Sequence, residues 1–137
     1  MRLNPDNVFD AFWAAALEDA QHCENDCAFE DGREPDEIEG EPAAEYAEQY
    51  RDAIRRICED AAPLIAAQNP NIFPRRCPDG DLDSAFGNDL YLVAAGHGAG
   101  FWYGNWDPIG DELTAIIDRH APRGGLAEHV NGGWFFI

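Results

Sequence analysis

The sequence predicts an α+β fold in the order α-α-β-β-α-β-β, with two N-terminal helices followed by a small antiparallel sheet with one helix. Three observations predict this class. Apolar residues recur at helical spacing through the first half of the chain. A glycine-rich turn at 96–100 separates two segments of β-type composition, and Asn131-Gly132 stands between two further short segments, which is typical of a hairpin.

The chain has 137 residues, of which 45 % are hydrophobic and 12 % aromatic. This is the length of one domain, with enough apolar surface to offset the entropy of folding. We therefore expect a single domain over residues 1–137. Its parts are an acidic helical half (1–68), a loop (69–88) and a β-β-α-β-β module (89–137).

The first helix is predicted to begin at Asn4. Asn is a favoured N-cap, Pro5 fits the first helical position, and Asp6 places a favourable charge in the first turn. An apolar stripe follows from Val8 onward, and we expect the helix to fade near His22.

The second helix is predicted to begin after Pro42. Its apolar residues repeat every three to four positions and form one face: Tyr46, Tyr50, Ile54, Ile57, Cys58 and Ala61. Pro63 is expected to kink or end this helix, because proline lacks the N–H group that a helix interior needs. Residues 69–88 are rich in Pro, Asp and Gly, which predicts a loop.

The C-terminal third differs in composition from the rest of the chain. Residues 89–94 and 101–103 are predicted to be strands on either side of the glycine turn. Residues 109–120 carry apolar side chains at helical spacing, which predicts a helix. A closing hairpin is predicted from the segments 126–130 and 134–137.

The charge of the chain excludes several classes of function. There are 27 Asp and Glu residues against 9 Arg and no Lys, which gives a formal net charge of −18. Such a chain repels phosphate, so direct binding to nucleic acid is not expected. The sequence has neither an apolar run long enough to cross a membrane nor a leader-like N-terminus, so we expect a cytoplasmic protein without a membrane partner.

The negative charge is concentrated in the first 60 residues, which carry a formal charge of −13 against −5 for the rest. The densest stretch is 18–41, with eleven carboxylates and Arg33 as the sole cation. Glycine and proline interrupt it, and only Ala28, Phe29 and Ile38 are available to anchor it. We therefore expect a solvated loop or a short irregular helix that carries a block of charge.

A second signal lies in the heptapeptide Gly-His-Gly-Ala-Gly-Phe-Trp at 96–102. It follows an acidic and aromatic stretch, and it precedes the predicted helix at 110–120 and the hairpin at 126–137. In this arrangement the chain from Asp89 onward resembles a C-terminal module of small bacteriophage-encoded proteins. No enzymatic activity is assigned to that module, so the resemblance implies a phage context.

Two groups of residues are candidates for chemistry. His97 stands between glycines in the turn, but no partner motif accompanies it. The cysteines Cys23, Cys27, Cys58 and Cys77 are candidate ligands of a structural zinc ion, although the gap between the first two is longer than the common two-residue spacing. Reduced, partly buried thiols are the expected state, with Cys58 in the core, and no cofactor is predicted.

The acidic block carries the leading functional hypothesis. Carboxylates three or four residues apart on a helix lie ~5–6 Å apart, which is on the scale of neighbouring phosphates, so such a surface can occupy a basic groove that binds nucleic acid. Together with the phage context, this predicts an inhibitor of a host nucleic-acid-targeting defence complex, with a CRISPR effector as the first candidate and a restriction enzyme as the second. The predicted contact residues are Glu30, Asp31, Glu34, Asp36, Glu37, Glu39, Glu41, Glu45, Glu48, Trp102 and Trp106. A secondary patch is predicted at Asp79, Asp81 and Asp83.

Two other classes of function stay open. One is a small metal- or cysteine-dependent enzyme centred on His97 and the cysteines. A serine hydrolase is disfavoured, because Ser84 is the single serine and lacks a nucleophile-elbow pattern. The other class is an acidic accessory domain whose charge serves solvation alone, as in proteins adapted to high salt.

Overall fold

The computed structural model describes residues 2–68, 81–96, 101 and 106–137. Within these ranges, four helices are followed by a two-stranded antiparallel sheet, in the order α-α-α-α-β-β. The broad α+β class is confirmed, but the predicted order of elements is wrong. None of the helices in these ranges has the length and apolar character needed to cross a membrane.

Helix α1 spans Pro5–Asp31. Its predicted start is confirmed, since the side chain of Asn4 accepts hydrogen bonds from the backbone N–H groups of Asp6 and Asn7 at 3.0 and 3.3 Å. The predicted end near His22 is wrong. No glycine or proline occurs between Asp6 and Asp31, so the helix continues until Gly32 ends it in the left-handed conformation, with φ of 68°.

Helix α2 spans Ala44–Ala66, which confirms the predicted start after Pro42. Pro63 does not end it. Proline removes one backbone hydrogen bond but its φ angle is helical, so the chain completes one more turn, and the N–H of Ala67 bonds the carbonyl of Pro63 at 3.1 Å. The buried face of α2 includes Ile54, Ile57 and the other residues predicted from their spacing, with Tyr46 half-buried at its start.

Helix α3 spans Leu82–Ala95 and overturns two predictions. Residues 82–88 are helical and not loop, and residues 89–94 are helical and not a strand; residues 69–80 lie outside the described part of the chain. The buried side chains of α3, among them Phe86, Leu90 and Val93, recur at three- to four-residue spacing. This helical period begins before the run Leu90–Ala94, which taken alone has the composition of a strand.

Two further predicted elements, the helix at 109–120 and the closing hairpin, are confirmed. Helix α4 spans Gly110–His120, and strands β1 (Leu126–Glu128) and β2 (Trp134–Phe136) form an antiparallel hairpin. Leu126 lies opposite Phe136, and Glu128 lies opposite Trp134. Of the predicted strand 101–103, the structure describes Phe101 alone, which is fully buried and does not belong to a strand.

The core forms where α1 packs along α3 and where the hairpin covers α1 and α2. Gly87 permits the first contact, since a Cβ atom there would lie 2.5 Å from the carbonyl oxygen of Val8. Phe136 of the hairpin packs on Phe12 of α1 and Tyr50 of α2, with ring centroids 5.6 and 5.4 Å apart. This packing leaves the C-terminal end of α1 and the chain that follows it on the surface.

Candidate partner-binding surface

The chain between α1 and α2, residues 32–43, is here called the acidic segment. Its backbone is held against α1 by two side chains of that helix. Gln21 Nε2 donates to the carbonyl of Asp36 at 2.8 Å, and the N–H of Ile38 donates to Gln21 Oε1 at 2.7 Å. Trp13 Nε1 donates to the carbonyl of Gly40 at 2.8 Å.

Trp134 of strand β2 holds the other side of the acidic segment. Its indole Nε1 donates to the carbonyl of Glu39 at 2.9 Å, and its backbone N–H donates to the carbonyl of Glu41 at 3.1 Å. Its own carbonyl accepts from the N–H of Ala43 at 2.9 Å. The backbone of the segment therefore bonds inward, and its carboxylates are left to face solvent.

All nine carboxylate residues that the sequence predicts as contacts are exposed. Among the described residues, the side chains of Glu34, Glu37, Glu39 and Glu41 have no hydrogen-bond or ion-pair partner. Glu37, Glu39 and Glu41 lie within four residue steps of chain, so their Cα atoms are at most ~14 Å apart. The acidic segment thus presents concentrated negative charge, and four of its five carboxylates have no partner among the described residues.

The cation of this region is already engaged. Arg33 Nη2 lies 2.6 Å from Glu24 Oε1, and Arg33 Nε lies 3.5 Å from Asp31 Oδ2. The hydrogen bond from Arg33 lowers the pKa of Glu24, which favours the charged form of that carboxylate. Arg33 therefore balances part of the charge on α1. The rest of the acidic segment, from Glu34 to Glu41, remains negatively charged.

Glu45, at the start of α2, has a different environment from the rest of the set. Its Oε2 lies 3.2 Å from Nε2 of His129. Nδ1 of the same ring accepts from the N–H of Asn131 at 3.1 Å, so the ring proton of the neutral histidine is on Nε2 and points at the carboxylate. The hairpin thereby fixes Glu45, whereas Glu48 on the next turn has no such partner among the described residues.

Phe29 is a candidate contact that sequence reasoning missed. We expected it to anchor the acidic stretch, but its side chain is 88 % exposed, while Ala28 is buried and Ile38 half-buried. Ala28 continues the inward stripe of α1, and the next residue on a helix points about 100° away from that stripe. A large apolar ring therefore stands among the carboxylates at the end of α1.

The two predicted tryptophan contacts have different outcomes. Trp102 lies outside the described residues. Trp106 is fully buried, packs on Phe101 and Phe86 with ring centroids 5.1 and 5.6 Å apart, and donates from Nε1 to Asp89 Oδ2 at 2.6 Å. Its aromatic area is used in the core, so the expectation of a partner contact at Trp106 is corrected.

The predicted secondary patch is built from carboxylates that have structural tasks. Asp81 caps α3, and the hydroxyl and backbone N–H groups of Ser84 lower the pKa of Asp81. Asp83 accepts from the N–H of Asn4 at 3.0 Å and from the side-chain amide of Asn7 at 3.2 Å, which ties α3 to the start of α1. Asp79 lies outside the described residues.

The candidate chemical residues do not converge within the described part of the chain. Cys58 is buried in α2, as predicted, and burial raises the pKa of its thiol to about 12. Cys23 and Cys27 are exposed free thiols, and Cys77 and His97 lie outside the described residues. Among the described residues, no group of three or more His, Cys, Asp or Glu side chains is placed to hold a metal ion.

Comparisons with known proteins add no family to this description. No family model matches the chain, and no similar protein is found among curated sequences or solved structures. The acidic surface, defined here as Phe29, Glu30, Asp31 and the exposed carboxylates from Glu34 to Glu48, is therefore characterised by its geometry and charge alone.

Proposed function

We propose that this chain binds a basic nucleic-acid-binding groove of another protein and excludes nucleic acid from it. The observation that carries the proposal is the acidic segment, whose backbone is fixed by Gln21, Trp13 and Trp134. Its carboxylates are exposed, and four of the five have no ion-pair partner among the described residues. A protein groove that grips the closely spaced charges of a nucleic-acid backbone with Lys and Arg would be attracted to such a surface.

The fixed backbone supports tight competition as well as attraction. A flexible acidic tail loses chain entropy when it binds, whereas a segment already held by hydrogen bonds loses less. Opposite net charges also raise the rate of encounter, and this effect weakens as salt rises. The proposal therefore includes fast, salt-sensitive association.

The target we propose is a host defence complex that acts on nucleic acid, with a CRISPR effector as the first candidate and a restriction enzyme as the second. This part rests on the resemblance of residues 96–102 to the phage module. The mode of action is occupation of the groove and requires no chemical step, so the proposed protein is an inhibitor.

The experiment compares two triple variants that change net charge equally. The first removes three uncompensated charges from the acidic segment: Glu37→Gln, Glu39→Gln and Glu41→Gln. The matched control removes three exposed charges elsewhere: Asp10→Asn, Glu59→Gln and Glu112→Gln. Each tagged protein is used to capture partners from a bacterial host that carries CRISPR and restriction systems, with washes at low and then high salt.

The wild-type protein and the control are expected to retain a nucleic-acid-binding complex that high salt elutes, and the acidic-segment variant is expected to lose it. Added competitor nucleic acid should reduce the capture. Equal loss in both triple variants would contradict the proposal, because it would show that net charge and not this surface matters. A complex that resists salt, or no nucleic-acid-binding partner for the wild-type protein, would also contradict it.

A further inference from the structure

A cleft between α2 and α4 differs in charge from the rest of this acidic protein. Its volume is about 410 Å³. It is lined by Gln49, Asp52, Ala53, Arg56, Arg119 and His120. Two of the protein's nine cations therefore face one concave site that α2 and α4 form.

Arg56 has no ion-pair partner among the described residues, although carboxylates lie one helical turn away on both sides. The carboxylate one turn before it, Asp52, pairs with Arg55 at 2.5 Å. The carboxylate one turn after it, Asp60, lies 3.0 Å from Nε2 of His120. Both neighbours are thus engaged, and the guanidinium of Arg56 is left to the cleft.

Arg119 lines the α4 side of the cleft, opposite Arg56 on α2. It lies in the last turn of α4, where a cation is favourable to the helix dipole, and it has no ion-pair partner among the described residues. In a chain with 27 carboxylates and 9 Arg, two unpaired guanidinium groups on one cleft repel each other. An anion between them would relieve that repulsion and gain charge-assisted hydrogen bonds.

The net negative charge of the protein does not prevent local binding of an anion. At an ionic strength of 0.1 M, charges are largely screened beyond ~10 Å, so the potential of a cleft is set mainly by the groups that line it, here two arginines and one carboxylate, Asp52. Asp52 and Asp60 are nearby carboxylates, and each already has a partner: Asp52 pairs with Arg55, and Asp60 Oδ2 lies 3.0 Å from His120 Nε2.

We propose that this cleft binds the phosphate group of a small ligand of nucleotide size. Arginine pairs in planar, two-pronged geometry with phosphate oxygens, which suits a site with two guanidinium groups. The volume is in the range of small-molecule sites, roughly 300–1,000 Å³, and exceeds what a phosphate alone would fill. The amide of Gln49 supplies a donor and an acceptor for the rest of the ligand.

The test is an NMR titration of the full chain with three probes: adenosine monophosphate, inorganic phosphate and adenosine. Saturable shifts of the backbone resonances of Ala53 and His120 are expected with the two phosphates and not with adenosine. The variants Arg56→Gln and Arg119→Gln should each weaken binding by about tenfold or more, since hydrogen bonds between charged groups have effects of that size. Arg2→Gln is the matched control, because it removes one exposed positive charge outside the cleft and should leave binding unchanged.

The relative affinities for adenosine monophosphate and inorganic phosphate show how much of the ligand the cleft recognises. Tighter binding of adenosine monophosphate than of phosphate supports a ligand of nucleotide size, whereas equal binding would overturn that part of the proposal, because only the phosphate group would then be recognised. Absence of saturable shifts at millimolar phosphate or nucleotide would overturn the proposal, as would equal effects of Arg2→Gln and the two cleft variants. The acidic surface is untouched by these changes, so failure here leaves the proposed inhibition standing, and the converse also holds.

Discussion

Gln21 and Ile38 are joined by a hydrogen bond that fixes the acidic segment against α1. The N–H of Ile38 donates to Gln21 Oε1 at 2.7 Å, and Gln21 Nε2 donates to the carbonyl of Asp36 at 2.8 Å. One side-chain amide thus satisfies a backbone donor and a backbone acceptor on either side of Glu37, as an adjacent strand would. The carbonyl of Asp36 and the N–H of Ile38 are turned toward α1, and the carboxylate of Glu37 between them is exposed.

The first prediction concerns Gln21→Ala. The variant loses three hydrogen bonds: the two to the acidic segment and the one that Gln21 Nε2 donates to Asn25 Oδ1 at 3.0 Å. The free energy of unfolding should fall by about 1.5–4.5 kcal/mol, because each bond typically contributes about 0.5–1.5 kcal/mol. The amide hydrogen of Ile38 should exchange faster with solvent, as measured by hydrogen exchange with NMR detection. Gln68→Ala is the control, since that side chain, just beyond the end of α2, makes one long bond of 3.3 Å to the carbonyl of Leu64. Unchanged exchange at Ile38 would show that Gln21 does not hold the segment.

A second prediction concerns the contact between α1 and α3. In an exposed helix, Gly→Ala would be favourable by up to about 1 kcal/mol. At Gly87 a new Cβ would lie 2.5 Å from the carbonyl oxygen of Val8 and 2.7 Å from Cβ of Ala11, both on a packed helix. Gly87→Ala should therefore destabilise the protein by about 1–3 kcal/mol, the usual cost of overpacking, in denaturant unfolding.

Gly125→Ala is the control for this prediction. A Cβ atom at Gly125 would meet no other atom within 4 Å, and this glycine does not have a positive φ angle. Its substitution should leave the midpoint of unfolding nearly unchanged. A stabilising effect of Gly87→Ala would mean that α1 and α3 do not approach as closely as described.

Local signals in the sequence predicted the elements whose structure is decided locally. The cap at Asn4, the amphipathic period of α4 and the Asn131-Gly132 hairpin are each set by residues within a few positions. Helix α3 was missed because the apolar run at 90–94 has the composition of a strand and is too short to show a period. Recognition of the cap at Asp81 would have extended the pattern and favoured a helix.

The exposure of the acidic residues could be predicted, but the way in which they are displayed could not. Charged groups must stay solvated, so their side chains were bound to lie outside. The contacts that fix the backbone join residues far apart in the chain, such as Trp134 with Glu39, and no short pattern encodes them. Phe29 is expected as an anchor and is exposed, whereas Trp106 is expected as a partner contact and is buried. The reason is the same, because tertiary packing decides which aromatic ring is buried.

A third prediction concerns Phe29 and rests on the proposed function. Its side chain is 88 % exposed, so Phe29→Ser should leave the melting temperature nearly unchanged. If the acidic surface docks on a partner, the ring is buried there, and its loss should weaken the complex by about tenfold or more. The measurement is the affinity for the complex captured by the wild-type protein. Val130→Ser, at a side chain that is 94 % exposed on the hairpin, should leave this affinity unchanged.

The fourth prediction concerns Cys58 and alkaline pH. Burial raises the pKa of its thiol from 9.0 to about 12. Between these values the folded protein keeps the proton and the unfolded chain loses it, so the free energy of unfolding should fall as pH rises through this window. Burial also raises the pKa of Tyr50 and of Tyr91, which acts in the same direction.

Cys58→Ala isolates the cysteine's share of this effect. Denaturant unfolding at about pH 8 and at about pH 10.5 should show a smaller loss of stability for the variant than for the wild-type protein, because one titrating group has been removed. In the native protein at the lower pH, iodoacetamide should modify Cys23 and Cys27 and spare Cys58, as read by peptide mass spectrometry. Equal alkaline losses, or rapid modification of Cys58, would show that this thiol is accessible and that the α2 face carrying it is not packed.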